Sequence, residues 1–270
     1  MSDSFLRPRH PVLLITAVIG VLLASLAFFG SARAATLTVD PSNCAIGSGN
    51  YCSIQAAINA AADGDTISIV NGTYPEALNI INKSLTLEGE SRSDVIVDAS
   101  SFTTLGINAS GDSNNFIFRR FTLKGPVGTY GLKISGENAT AIVDDVSVIS
   151  IGRSGVDLNG LVGGTVSNVS SIGATGGVGI GLTDCSNVTL ENITTSGNAW
   201  GGVAIYTWGH WYTGGSDNIT LTGTNSFGEA NQFYVELGNY NYSIDNPVSP
   251  FPLTNFTQTT FPYQVTNSAI

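Results

Sequence analysis

Charged side chains are scarce in this chain, at 11% of 270 residues, and the few that occur are mostly acidic, for a formal net charge of −10. A chain so short of Lys and Arg has no basic footprint with which to hold nucleic acid or an anionic lipid surface. Two His and three Cys supply no Cys/His grouping at metal-ligand spacing, which excludes a structural zinc module. What the chain has in quantity is Gly, 32 residues of it, with abundant Asn, Ser and Thr, a composition that suits a β-rich exported protein with polar but uncharged faces.

Arg7, Arg9 and His10 precede an apolar run from Pro11 to Gly30, and Ala32-Arg33-Ala34 follows as a small-x-small exit. These three parts read as a secretory leader over 1–34 with the mature chain starting at Ala35, although the run is also long enough for an uncleaved membrane anchor. Without the leader's three Arg and one Asp, seven basic side chains face nineteen acidic ones. The mature chain is therefore expected to be secreted or at the cell surface, off the membrane, monomeric, and without a nucleic-acid partner. Cys44 and Cys52, eight residues apart, can close a small disulfide loop in an oxidising compartment, whereas Cys185 is left over as a small interior filler.

Ser53 to Ala62 places Ile54, Ala57, Ile58 and Ala61 on one stripe at helical spacing, with Ser53 as N-cap and Gly64 as the stop. Short strands follow at Thr66–Val70, Ala77–Ile81, Leu85–Glu88 and Val95–Asp98. From there the sequence repeats. Gly131, Gly155, Gly179 and Gly202 each open an alternating apolar segment, at intervals of 24, 24 and 23 residues. A second register, Phe118/Phe121, Val143/Val146, Val166/Val169 and Leu190/Ile193, keeps the same period with a constant i, i+3 step. Two registers with one period imply a coil whose rungs stack in parallel about 4.8 Å apart, rather than hairpins. In such a stack Val146, Val169 and Ile193 share one buried file, and Asp145, Asn168 and Asn192 share a position suited to an amide ladder. The leucine-rich LxxLxLxxN pattern is absent. The helix would cap the first rung, and 239–270, rich in Pro and without a clear rung, reads as a capping or irregular tail or as a truncated end.

The segment Ser53-Ile54-Gln55-Ala56-Ala57-Ile58-Asn59-Ala60-Ala61-Ala62-Asp63-Gly64-Asp65-Thr66-Ile67, with Asn71-Gly72-Thr73-Tyr74-Pro75-Glu76 and Lys83-Ser84-Leu85-Thr86-Leu87-Glu88-Gly89 after it, resembles the opening of the pectin-lyase-like β-helix superfamily. With the repeats, the resemblance covers about Ala35 to Gly238. It implies an all-β fold, a right-handed, single-stranded parallel β-helix of about seven rungs with a short N-terminal capping helix, and carbohydrate sites along one outer groove. It does not fix the activity, because the same fold hosts lyases, hydrolases, esterases and adhesins.

Of the motifs that the superfamily's hydrolases carry, only the doublet Asp144-Asp145 is present, and His210 stands in Gly-His-Trp. Adjacent strand residues point to opposite faces, so the doublet cannot present two carboxylates to one sugar bond. It reads as one solvated acid and one ladder residue. Further esterase motifs are not found. A lyase needs a base and a cation beside the uronate. Lys133 as base with Asp157 near a Ca²⁺ would meet that need, while the plainer reading of the two, one rung apart, is a cross-rung ion pair.

All three Trp fall in the stretch Trp200 to Tyr212, where Tyr206, Trp208, His210, Trp211 and Tyr212 are the candidate sugar-stacking residues or else a plug over the solenoid flank. Asn187 and Asn218 are 31 residues apart, so this rung carries an insertion of about seven residues. The groove is expected where Gly181 and Ala204 continue the file of Lys133 and Asp157 as a flat floor. Ten Asn-x-Ser/Thr triplets are glycosylation acceptors or simply polar turns. The expected function is binding of, or lyase-type action on, an extracellular polysaccharide, with a non-catalytic structural or adhesive module as the alternative.

Overall fold

In the computed structural model, which describes residues 33–45, 49–206, 216, 219–237, 240–245 and 264–265, the chain from Thr36 onward winds as a three-faced coil. The first face stacks Thr36–Val39, Thr66–Ile69, Leu85–Gly89, 115–119, 140–144, 164–167, Val188–Glu191, Thr220–Thr222 and Gln264–Val265. The second stacks Gly72–Tyr74, Val95–Asp98, 122–124, 147–149, Ser170–Ile172, Thr194–Ser196 and Ser226–Phe227. On the third lie Leu78–Ile81, Ile107–Ser110, 132–135, 156–159, Val178–Thr183, Gly201–Tyr206 and 233–235. Seven strands on each of the last two faces amount to about six turns. Among the described residues, every strand pairing between Thr36 and Leu237 is parallel, as the two repeat registers require; the one antiparallel pair described joins Asn231–Leu237 to Tyr240–Asp245.

The corner between the first and second faces needs one residue in the left-handed region, and Arg120, Asp145, Asn168 and Asn192 fill it in successive rungs, with φ of 57°, 53°, 54° and 54°. Asn and Asp accept that conformation more readily than other side chains. The amide ladder forms only in part. Asn192 Nδ2 donates to Asn168 Oδ1 at 3.1 Å, but Asn168 Nδ2 donates to Asp144 Oδ1 at 2.9 Å and not to Asp145. Asp145 instead pairs with Arg92, at 3.3 Å. The two acids thus hold the reverse of their expected roles, because the left-handed bend turns the Asp145 carboxylate toward the loop that carries Arg92.

Inside the coil, Phe121, Val146, Val169 and Ile193 are at most 1% exposed and follow one another in register, the expected file. Phe118 and Phe121 meet edge to face, with centroids 6.4 Å apart. Cys185 is buried, and burial pushes its thiol up to about 12. Cys44 and Cys52 form the disulfide, with Cα atoms 5.1 Å apart.

The helix is shorter than the stripe suggested, Ile54–Ala60, with Ser53 Oγ accepting from Ala56 N at 3.2 Å. Gly64 is not its stop, since Ala61 is already extended; Gly64, at φ +85°, makes the next turn. Side chains from the following rung hold the helix at both ends. Glu76 accepts from Ile54 N and Gln55 N, both at 2.9 Å, and the Lys83 ammonium donates to the carbonyls of Ile58, Asn59 and Ala61 at 3.0, 3.2 and 2.7 Å. These are the charges that the exposed amides and carbonyls of a helix's two ends favour. The opening signature is therefore a clamp that fastens the cap to the first rungs. Among the described residues, no helix is long and apolar enough to cross a membrane.

Candidate functional site

On the third face, strand alternation turns Leu132, Ile134, Val156 and Leu158 inward and Lys133, Ser135, Asp157 and Asn159 outward. Parallel register then sets Lys133 beside Asp157, and Lys133 Nζ lies 2.5 Å from Asp157 Oδ2. The same oxygen accepts from Asn159 Nδ2 at 2.8 Å. The plainer of the two readings describes this geometry: a cross-rung ion pair with 25% and 10% side-chain exposure, in which Asp157 Oδ2 accepts from both Lys133 and Asn159. Its net stabilisation is small, about 1 kcal/mol or less, as for most partly exposed pairs.

A Ca²⁺ at Asp157 does not fit these residues. The ion takes six to eight oxygen ligands, whereas Asp157 offers one carboxylate already facing an ammonium. Among the described residues, no three His, Cys, Asp or Glu side chains converge. Asp144 and Asp145 stand at the corner of the first and second faces, so they add no carboxylate to the third.

Beside the ion pair runs a stack that crosses rungs. Lys133 Nζ lies 4.6 Å from the Tyr130 ring centroid, the Arg153 guanidinium carbon 4.9 Å from the same ring, and that carbon 5.9 Å from the ring of Trp200. Tyr130, Arg153 and Trp200 belong to the loops that lead into the third face, where the turns press together. A Cβ on Gly152 would fall 1.6 Å from Gly128 N, and one on Gly177 would fall 2.6 Å from Ser154 N. Trp200 N donates to Gly177 O at 3.0 Å. With Gly177 at the equivalent position of the intervening rung, no side chain at that position separates Trp200 from Arg153. Trp200 stays 55% exposed. Burial raises the Tyr130 hydroxyl's pKa, Asp157 raises it further, and Arg153 opposes them.

Next to the stack, Ser110, Asp112, Lys133, Ser135 and Asn159 line a cleft of about 220 Å³. It presents an ammonium, a carboxylate, two hydroxyls and an amide. The expected flat floor lies elsewhere in the file and is closed. Gly181 and Ala204 do follow Lys133 and Asp157 in register, but both are buried, and a Cβ on Gly181 would sit 4.0 Å from the Tyr206 ring. Tyr206 packs against Tyr234, centroids 5.7 Å apart, which is why that end of the file is covered. Trp208, His210, Trp211 and Tyr212 lie outside the described residues. The insertion itself is confirmed by register, since Ile205 pairs 23 residues after Leu182 while Leu221 pairs 31 after Leu190.

Sequence reasoning missed Tyr130 and Arg153 as members of a site. Thr129, Arg153, Gly177 and Trp200 each stand two residues before the glycine, or its equivalent, that opens a third-face strand. Aligning the repeats on that column would have found three of the loops concerned.

No family model matches the sequence, and no curated protein matches it. Solved structures do. Escherichia coli YbhC aligns with a TM-score of 0.50 at 12% identity, over 79% of this chain and 70% of that one. Erwinia chrysanthemi pectin methylesterase PemA aligns at 0.46 and 15%, over 78% and 74%, and pectate lyase Pel9A at 0.47 and 16%, over 78% and 79%. Three faces of parallel strands, stacked at one period, together with the likeness to YbhC, give this chain a right-handed parallel β-helix fold.

Proposed function

We propose that this is an exported protein that binds an extracellular polysaccharide along its third face, at the cleft of Ser110, Lys133, Ser135 and Asn159 and the adjoining Tyr130–Arg153–Trp200 stack. The observation that carries the reading is the alternation of cations and rings, Lys133, Tyr130, Arg153 and Trp200, beside a cleft lined by hydroxyl and amide groups. A sugar ring has apolar C–H faces that an exposed indole covers with little loss of conformational entropy. Its hydroxyl or carboxylate oxygens would take hydrogen bonds from Lys133, Arg153 and Asn159. Binding is favoured over lyase chemistry because Lys133, an ammonium paired with Asp157, has N–H groups to donate but no lone pair with which to take a proton. The leader pattern and the Cys44–Cys52 disulfide support export.

Calorimetry with oligogalacturonates and with neutral oligosaccharides, on the parent and on a Tyr130→Ala, Trp200→Ala double variant, tests the reading. The expected result is a glycan of one class bound by the parent and at least about tenfold more weakly by the variant, or about 1.4 kcal/mol. Equal affinity in a variant with the parent's circular dichroism, or no binding by the parent, leaves the structural module in its place. Absorbance rising at 235 nm with an acidic glycan would instead identify a lyase.

A further inference from the structure

The carboxylate of Asp65 reaches out of the first-face turn to two backbone amides: Ala35 N donates to Oδ1 at 2.7 Å and Ala62 N to Oδ2 at 2.7 Å. Asp65 is 6% exposed, its own N–H is held by Ala62 O at 3.2 Å, and its carbonyl is held by Thr86 N at 3.0 Å. Ala35 is fixed as well, because its carbonyl accepts from Thr66 N at 2.8 Å. Among the described residues, no Lys or Arg forms an ion pair with Asp65. A buried carboxylate is thus aimed at the nitrogen of the residue that directly follows Ala32-Arg33-Ala34. The chain from Arg33 to Thr36 is exposed, where a peptidase can reach it.

We propose that cleavage between Ala34 and Ala35 by a signal peptidase completes the fold by creating an α-ammonium that Asp65 captures. The inference rests on the export reading above. Hydrolysis of that amide adds one water, leaving a carboxylate on Ala34 and an amine on Ala35, and the amine takes a proton from solvent. In the uncut chain, two neutral donors serve the Asp65 carboxylate. In the cut chain, one of them is replaced by a full positive charge at hydrogen-bond distance, the stronger of the two arrangements. Because a buried carboxylate without a cation is costly, the pair ties the first strand to the turn that carries the clamp.

The test begins with the full chain expressed in a secreting host and N-terminal sequencing of the protein in the medium, where Ala35 is the expected first residue. Two chains beginning at Ala35 and released from a tag, one with a free amine and one acetylated, are then melted side by side. The free amine should melt about 2 to 4 °C higher, and Asp65→Asn, which keeps an acceptor for Ala62 N, should bring the pair within a degree. A different first residue in the medium overturns the processing site while leaving export intact. Retention in the cells overturns export, and the comparison of free with acetylated chain then decides the capture alone. Equal melting of those two chains overturns the capture, whether or not the Asp65→Asn variant folds.

Discussion

The interior of this coil is not the same at its two ends. On the second face, one inward column runs Tyr74, Val97, Leu123, Val148 and then, in the same register, Ser171, Thr195 and Phe227. The early rungs are filled by Phe116, Phe118, Phe121 and Leu123, all at 0% exposure. In the later rungs the same space holds a polar network. Glu229 accepts from Thr195 Oγ1 at 2.7 Å, from Asn198 N at 3.2 Å and from Asn198 Nδ2 at 2.6 Å; Asn198 Nδ2 also reaches Ser171 O at 2.9 Å, and its Oδ1 accepts from Ala174 N at 2.9 Å. Apolar packing has no direction, so it stacks rungs without aiming a loop. A satisfied buried network does aim one, and this one lies two residues before Trp200.

Val169→Asp probes the apolar file hardest. An unpaired carboxylate between Val146 and Ile193 should cost at least about 4 kcal/mol, read by urea unfolding; a variant within about 1 kcal/mol of the parent would mean that the file is not continuous. Val148→Ser moves the polar column one rung toward the N-terminus, where it has no network to join. The expected loss is about 2 to 3 kcal/mol, and a neutral result would show that a hydroxyl in this column needs only a carbonyl acceptor, such as Ser171 Oγ has in Gly179 O at 2.8 Å. Glu229→Gln places an amide N–H₂ among donors and should cost about 1 to 2 kcal/mol. Unlike a merely structural change, it should also loosen Trp200, seen as faster acrylamide quenching of indole fluorescence with Trp208 and Trp211 replaced by Phe.

The smallest effect belongs to Cys185. Burial raises its thiol from an ordinary 9.0 to about 12, so the folded state holds the proton more tightly than the unfolded one. The stabilisation is complete below pH about 9 and is lost as pH rises from there toward 12. In native protein at pH 8.5, a thiol reagent should label Cys185 only on denaturation, and prompt labelling would place that rung's interior in contact with solvent.

The repeat period, the buried file and the opening signature were legible because each is carried by residues that recur at fixed spacing. Short strands such as Thr194–Ser196 and Ser226–Phe227 carry too few residues to show alternation, and only stacking defines them. The site was half legible. Lys133 and Asp157 could be paired from the period alone, since cross-rung neighbours are one repeat apart. The Tyr130–Arg153–Trp200 stack could not, because it joins loops of three different rungs and depends on Gly177 having no side chain. The covering of Gly181 by Tyr206 was equally hidden, being set by where one long side chain lies rather than by the register. Glu76 and Lys83 stand in the sequence only as parts of the opening signature and prove to cap the two ends of one helix.

That the third face near Lys133 and Trp200 is the ligand face is tested most directly by hydrogen–deuterium exchange, with and without the tightest-binding oligosaccharide. Protection should appear in peptides covering Tyr130 to Gly136, Arg153 to Asn159 and Asn198 to Gly201. Protection confined to first-face peptides such as 164–167 and Val188–Glu191 would contradict the account.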